Sequence, residues 1–322
     1  MKAVRIHQFG APEVLQYEDI PVPEPKEGEV RVKIQVIGIN FIDTYRRTGL
    51  YKMATPFIVG EEAAGVVDAV GAGVTDSKIG ERVVYCTVQG SYAEYAIVPA
   101  WRVVQIPQNI SARDATAIYL QGLTAHYLAH DTFPIKSGDT ALIQAAASGA
   151  GQLLVQIAKM RGARIIGTTS SDDKARIARA AGADEIILYT QKDFEAETKR
   201  LTNGKGVDVV YDSVGKTTAE KSLNCLRPRG MLVLWGNASG AAPAIDPLAL
   251  MAKGSLFVTR PTLTHYTRDR AELIARAKDL FAWMTAGKLR VRIDKTFALK
   301  DAADAHRYVE SRASAGKVLL IP

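Results

Sequence analysis

Cysteine is scarce in this chain: Cys86 and Cys225, far apart, are the whole supply in 322 residues. Two distant thiols exclude a disulfide framework, and a structural zinc site needs three or four clustered ligands. A reduced, cytoplasmic protein is expected. No secretory leader is expected, because Met1 is followed by a strand-like sequence with no basic segment and no apolar run. Aromatic residues make up only 7% of the chain, and no aromatic-basic stacking motif is present. The net charge of +7 does not reverse that, since Lys and Arg are scattered and their local groups (Arg46-Arg47, Arg227 to Arg229, Arg268 to Arg276) are short. Nucleic acid is therefore not an expected partner. Charge itself is absent between Asp139 and Lys159, a run nearly long enough to cross a membrane. Gln144, Gln152, Gln156, Ser148 and a pair of glycines interrupt it, and no basic flank or aromatic belt brackets it. No membrane partner is expected either.

What the sequence does have is centred on that same run. Thr140 to Ala145 is a short apolar strand, Ala146-Ala147-Ser148-Gly149-Ala150-Gly151 is a turn of small residues, and an apolar-periodic helix begins near Gln152. Strand, tight glycine turn and helix, in that order, suit a dinucleotide pyrophosphate. The glycines allow a sharp turn and close approach, and the helix N-terminus offers N–H groups and a positive dipole end. The fingerprint is imperfect, because Leu154 stands where a third Gly or Ala is usual.

The rest of the chain frames this unit. Hydrophobic content of 47% and charged content of 23% fit a soluble protein with ample core, and 322 residues suggest two domains. From Met1 to about Ala100 many short strands are separated by Gly and Pro, which predicts a compact barrel-like β domain. Gly28 to Asn40 alternates Val and Ile with charge, as a half-buried strand does. Ser111 to Phe133 turns helical, with Ser111 as N-cap. Strands are then predicted at 140–145, 163–168, 185–189, 207–211, 230–235 and 255–259, with helices between, which implies a doubly wound parallel sheet. After Pro261, two helices and two strands are expected to rejoin the first domain. The domains are thus placed at 1–123 with 262–322, and at 124–261.

The second strand of such a sheet usually ends in an acid that accepts from the ribose 2′-OH of NAD, about 20 residues past the glycine turn. Here it ends Gly167-Thr168-Thr169-Ser170-Ser171-Asp172-Asp173-Lys174. Thr168 and Thr169 are not acidic, while Ser170, Ser171 and Lys174 suit a 2′-phosphate. Asp172 and Asp173 are read as charges at the start of the next helix. The expected cofactor is NADPH.

Five segments carry a family resemblance: Gly38 to Tyr51 (GINFIDTYRRTGLY), Gly60 to Val67 (GEEAAGVV), Ala145 to Gly151 (AAASGAG), Val209 to Gly215 (VVYDSVG) and Glu310 to Pro322 (ESRASAGKVLLIP). Together they resemble the zinc-independent NADPH:quinone oxidoreductases, the zeta-crystallin-like branch of the medium-chain dehydrogenase/reductases. The resemblance implies a GroES-like catalytic domain, a Rossmann domain, and a cleft where hydride passes from NADPH to a quinone. Zinc-dependent relatives carry Cys at the position of Asn40 and Gly-His-Glu at Gly60-Glu61-Glu62, so no catalytic metal is expected. The family turn usually reads AxxGGVG, and Ser148 replaces the first paired glycine. Ser148 is strained if its φ is positive; otherwise its hydroxyl adds a phosphate contact, which is the reading favoured.

The resemblance also assigns residues. Ser148, Gly149, Ala150 and Gly151 would face the pyrophosphate, and Ser170 and Lys174 the adenosine 2′-phosphate, with Tyr189 and Arg312 nearby. Ser213, Trp235, Gly236 and Asn237 would edge the cofactor, with Val258 near the nicotinamide amide. Asn40, Asp43, Tyr45 and Thr124 would surround the nicotinamide and substrate. A quinone is already electrophilic, so positioning carries the reaction, and Tyr45 or Asn40 would donate to the developing oxyanion. His126 and His130 are spaced i, i+4 but lack a following Glu, so they read as structural. Two alternatives remain: reduction of an alkenal or enone double bond, and an RNA-binding or structural protein that keeps NADPH. A homodimer through the edge strand Ser255 to Thr259 is expected by resemblance.

Overall fold

Short apolar runs punctuated by glycine fold, in the computed structural model that describes residues 1–322, as two units. One comprises Met1–Leu123 with Thr267–Pro322, the other Thr124–Tyr266.

The first unit begins with strands β1 (Lys2–Ile6), β2 (Gln16–Asp19) and β3 (Glu29–Gly38), then helix α1 (Phe41–Arg47). Strands β4 (Phe57–Ile58), β5 (Glu62–Val70), β6 (Arg82–Cys86), β7 (Tyr95–Pro99) and β8 (Val104–Gln105) lead to helix α2 (Ala112–Tyr127). Along β3 the alternation works as expected: Val30, Val32, Ile34 and Val36 are buried while Lys33 and Gln35 face water. From Val36 to Asn40 every residue is buried, so the strand delivers Asn40 into the interior. Strand β3 pairs antiparallel with β5 and with β7. Val30, Val32, Tyr85, Tyr92 and Val98 pack on the inner side of this curved sheet. Ser111 caps α2, accepting from Asp114 N at 3.0 Å and donating to Asp114 Oδ2 at 2.7 Å. The expected helical run to Phe133 finishes as a wider π-type turn over Leu128–Thr132.

The second unit alternates β9 (Thr140–Ile143), α3 (Gly149–Met160), β10 (Arg164–Thr169), α4 (Asp172–Ala180), β11 (Glu185–Leu188), α5 (Phe194–Leu201) and β12 (Val207–Asp212). Helix α6 (Ala219–Asn224), β13 (Leu226–Leu234), α7 (Pro247–Ala252) and β14 (Phe257–Thr259) complete it. The six strands lie in the order β11-β10-β9-β12-β13-β14, all parallel. This is the doubly wound arrangement, with Leu142, Ile166, Val210 and Leu232 at its core. Helix α3 starts three residues before Gln152, because Ser148 rather than a later residue is its cap.

Helix α8 (Arg270–Thr285), β15 (Ile293–Ala298), α9 (Ala302–Glu310) and β16 (Lys317–Ile321) then rejoin the first unit. Strand β16 pairs with β3 at Leu319 and Gly38. The second helix expected after Pro261 is interrupted: Leu299–Asp301 is a 3-10 turn, and α9 follows it. No helix is long and apolar enough to cross a membrane.

Candidate functional site

Because all six strands of the second unit are parallel, the turns leaving their carboxyl ends share one edge of the sheet, where such folds take ligands. Ser148 has φ −68°, so it is unstrained, and its Oγ accepts from Gly151 N at 3.1 Å as the cap of α3. The left-handed residue is Ala145, with φ +53°. Gly151 is required by proximity: a Cβ there would sit 2.4 Å from the Ala145 carbonyl oxygen. Gly149 and Ala150 head α3, whose first amides lack intrahelical acceptors. Leu154 is fully buried, so the third fingerprint position serves the core.

Asp212, quoted within a motif but given no role by sequence reasoning, organises this edge. It is fully buried, and its Oδ1 accepts from Val214 N (2.8 Å), Gly215 N (3.0 Å) and Thr218 Oγ1 (2.9 Å). Its Oδ2 accepts from Ser222 Oγ at 2.7 Å, which shapes the turn carrying Ser213. Across the sheet Thr168 Oγ1 donates to Gln144 Oε1 (2.7 Å) and accepts from Ala145 N (3.2 Å), tying β10 to the glycine turn. Gly236 lies against Ser213, where a Cβ would be 2.4 Å from the Ser213 carbonyl oxygen. Asn237 and Trp235 follow β13, and Val258 pairs with Leu232.

The end of β10 gathers Ser170, Lys174 and Tyr189. Tyr189 N donates to Thr169 O at 3.1 Å, and Thr190 Oγ1 to Ser170 O at 3.1 Å. Ser171 caps α4 by accepting from Lys174 N. Asp172 and Asp173 occupy its first turn, and Asp173 pairs with Arg176. Two buried polar atoms here have no partner, Thr169 Oγ1 and Trp235 Nε1. Orphaned groups at strand ends fit an edge that takes a polar ligand. Thr124 is buried in α2, and His126 and His130 stack at 4.2 Å with burial pushing His130 down to about 4.

Arg312, Asn40, Asp43 and Tyr45 belong to the other unit. Arg312 is exposed, with φ +60°, just after α9. Asn40 precedes α1 and its carboxamide is wholly engaged. Its Nδ2 donates to Glu62 Oε2 (2.9 Å) and Gly38 O (3.2 Å), and its Oδ1 accepts from Lys317 Nζ (2.9 Å). Both amide hydrogens are therefore committed in this structure. Lys317 Nζ also donates to Glu62 Oε2 at 2.5 Å. At the neighbouring position Glu61 pairs with Arg46. No three His, Cys, Asp or Glu side chains come together as a metal cluster.

Asp43 is fully buried. Its Oδ2 accepts from Asn40 N (2.9 Å) and Tyr92 OH (3.0 Å), while Oδ1 has no partner. Burial, with the Glu61 charge adding to it, pushes this carboxyl up to about 7. Tyr92 OH meets His306 Nε2 at 3.0 Å, and His306 Nδ1 meets Arg47 Nη1 at 2.9 Å. A guanidinium only donates, so Nδ1 accepts and Nε2 carries the hydrogen. Burial first, and Arg47 second, push His306 down to about 3. Arg47 closes the series on Glu310. Tyr45 is half-buried, edge-on to Tyr51 at 5.5 Å. Glu62, Tyr92, His306 and Lys317 were not singled out from sequence. A buried lysine inside an apolar strand carries no local signal.

Comparison with known proteins agrees with this architecture. Residues 26–108 match the alcohol dehydrogenase GroES-like domain family, and residues 181–320 the zinc-binding dehydrogenase family. The chain is 44% identical to the quinone oxidoreductase of Pseudomonas aeruginosa, over 100% of this chain and 99% of that one. It is 43% identical to the 2-haloacrylate reductase of a Burkholderia species, over 99% and 98% of the two chains. The solved structure of Escherichia coli quinone oxidoreductase complexed with NADPH superimposes with a TM-score of 0.98, at 43% identity and covering 100% of both chains.

Proposed function

The chain belongs to the quinone oxidoreductases of the medium-chain dehydrogenase/reductase superfamily, and from that premise we propose that it reduces a quinone with NADPH. The observation that carries this reading is the second unit's carboxyl edge. There the glycine turn opens onto the head of α3, and β10 ends without an acid and beside Lys174. Ser148 to Gly151 hold the pyrophosphate, and Ser170 and Lys174 the 2′-phosphate, with Tyr189 and Arg312 beside it. Ser213, Trp235, Gly236, Asn237 and Val258 line the remainder, and Thr124, Asn40, Asp43 and Tyr45 the reacting end. Bound NADPH supplies the hydride. Tyr45 donates a hydrogen bond to the developing oxyanion, and Asn40 orients rather than donates. The side chains exclude water and fix the acceptor, which for an electrophilic quinone is the larger part of catalysis.

A second reading, reduction of an activated carbon–carbon double bond, is favoured by the likeness to the 2-haloacrylate reductase. NADPH oxidation on adding 1,4-benzoquinone, 9,10-phenanthrenequinone or an alkenal separates the two, repeated with NADH and a chelator. Fast, chelator-insensitive turnover of quinone with NADPH alone is expected. Turnover of the alkenal only moves the assignment to the second reading, and equal use of NADH removes the role of Lys174. The protein acts in the cytoplasm as a homodimer joined along β14. The exposed Phe257 on that edge, with exposed Leu248 and Met251 on α7, supports this pairing.

A further inference from the structure

We propose that Lys317 and Glu62 are positioning residues whose buried ion pair fixes the Asn40 carboxamide in a single orientation, with its hydrogens withheld. Both charged side chains are sealed from water, at 1% and 0% exposure. A pair so buried is a weak source of stability, since apolar residues of equal volume often do as well, so its presence points to another role. The geometry supplies one. An ammonium only donates and a carboxylate only accepts. Turning the Asn40 amide over would set its NH2 against Lys317 and its carbonyl against Glu62, so one orientation survives.

The anchors are themselves anchored. Glu62 Oε1 accepts from Leu120 N at 2.6 Å, and Glu62 N donates to Ser91 Oγ at 3.1 Å. Gly38 gives independent support: a Cβ there would lie 2.2 Å from Glu62 Oε2 and 2.8 Å from Lys317 Cε. The strand thus dispenses with a side chain where the pair packs on its backbone and where its carbonyl takes the second Asn40 hydrogen.

The inference rests on the proposed place of Asn40 at the reacting end, and a mutant cycle tests the two separately. Asn40→Ala, Lys317→Met and the combination are compared for quinone kcat/KM and for NADPH affinity by fluorescence. If Lys317 acts through Asn40, each single change lowers kcat/KM on the order of tenfold to a hundredfold. The combination is then no worse than Asn40→Ala alone, in kcat/KM and in NADPH affinity alike. Additive losses, or a fall in NADPH affinity that follows lost thermal stability, overturn the positioning role and leave Asn40 in place. No effect of Asn40→Ala on kcat/KM overturns both. Should Lys317→Met fail to fold, Glu62→Gln/Lys317→Met removes the pair without stranding a charge, and the same non-additivity with Asn40→Ala is expected of it.

Discussion

The two units hold their functional residues by opposite means. Around the glycine turn the fastening is mostly neutral. Ser148 caps α3, Thr168 bridges Gln144 and Ala145, and the one buried carboxylate, Asp212, is saturated by four donors. Around Asn40 the fastening is ionic and remote, with Glu62, Lys317, Asp43 and Arg47 all buried. The difference follows from what each must bind. A cradle for a phosphate cannot carry a free buried carboxylate, which would repel the ligand, so backbone amides and hydroxyls shape it. A neutral amide has no such conflict, and charges in a dry interior orient it more stiffly than neutral groups do.

The largest expected break in this contrast is on the ionic side. Lys317→Met strands the Glu62 carboxylate and should cost about 3–5 kcal/mol of stability in urea unfolding, most of it regained in Glu62→Gln/Lys317→Met. The pH dependence sharpens the same side. Asp43, raised from 3.8 to about 7, keeps its proton in the native state where the unfolded chain has lost it, so its contribution falls as pH rises across that window. His306, lowered from 6.5 to about 3, does the reverse, and its contribution is lost as pH falls through that range. The two oppose each other in the wild type. Unfolding measured near pH 4.5 and pH 6.5 should show Asp43→Asn gaining stability with pH and His306→Gln losing it, each on the order of 1–3 kcal/mol. Equal slopes in both variants would remove the opposition.

On the neutral side the effects are smaller. Gly151→Ala places a Cβ against the Ala145 carbonyl and should cost about 1–3 kcal/mol in backbone shift, read as weaker NADPH binding and a lower Tm. Ser148→Ala removes one cap and should cost about 1 kcal/mol of stability. If Ser148→Ala proves costlier than Lys317→Met, the contrast between the units is wrong.

That contrast also explains what the sequence disclosed. The six parallel strands, the glycine turn and the cap at Ser111 are local patterns of period, punctuation and polarity, and they were legible within a few residues, whereas the caps at Ser148 and Ser171 were not anticipated. At Ser148 the unstrained alternative is the one observed, because the left-handed φ sits three residues earlier, at Ala145. The Asn40 corner was not legible. Asn40 itself stood out by resemblance, but its partners Glu62 and Lys317 lie 22 and 277 residues away. No periodicity joins such distances, and a lysine at an inward strand position reads as an error in the pattern until its carboxylate is seen.

The same remoteness orders the making of the molecule. Glu62 and Asn40 leave the ribosome early, yet the cation that compensates the Glu62 carboxylate lies on β16, 255 residues after it. The second unit is one continuous stretch, whole once residue 266 has emerged. During synthesis the first unit therefore waits, one carboxylate uncompensated and one edge of β3 unpaired, until its closing strand arrives. A chain cut short before Lys317 would retain every residue of the glycine-turn sheet and lack the keystone of the other unit.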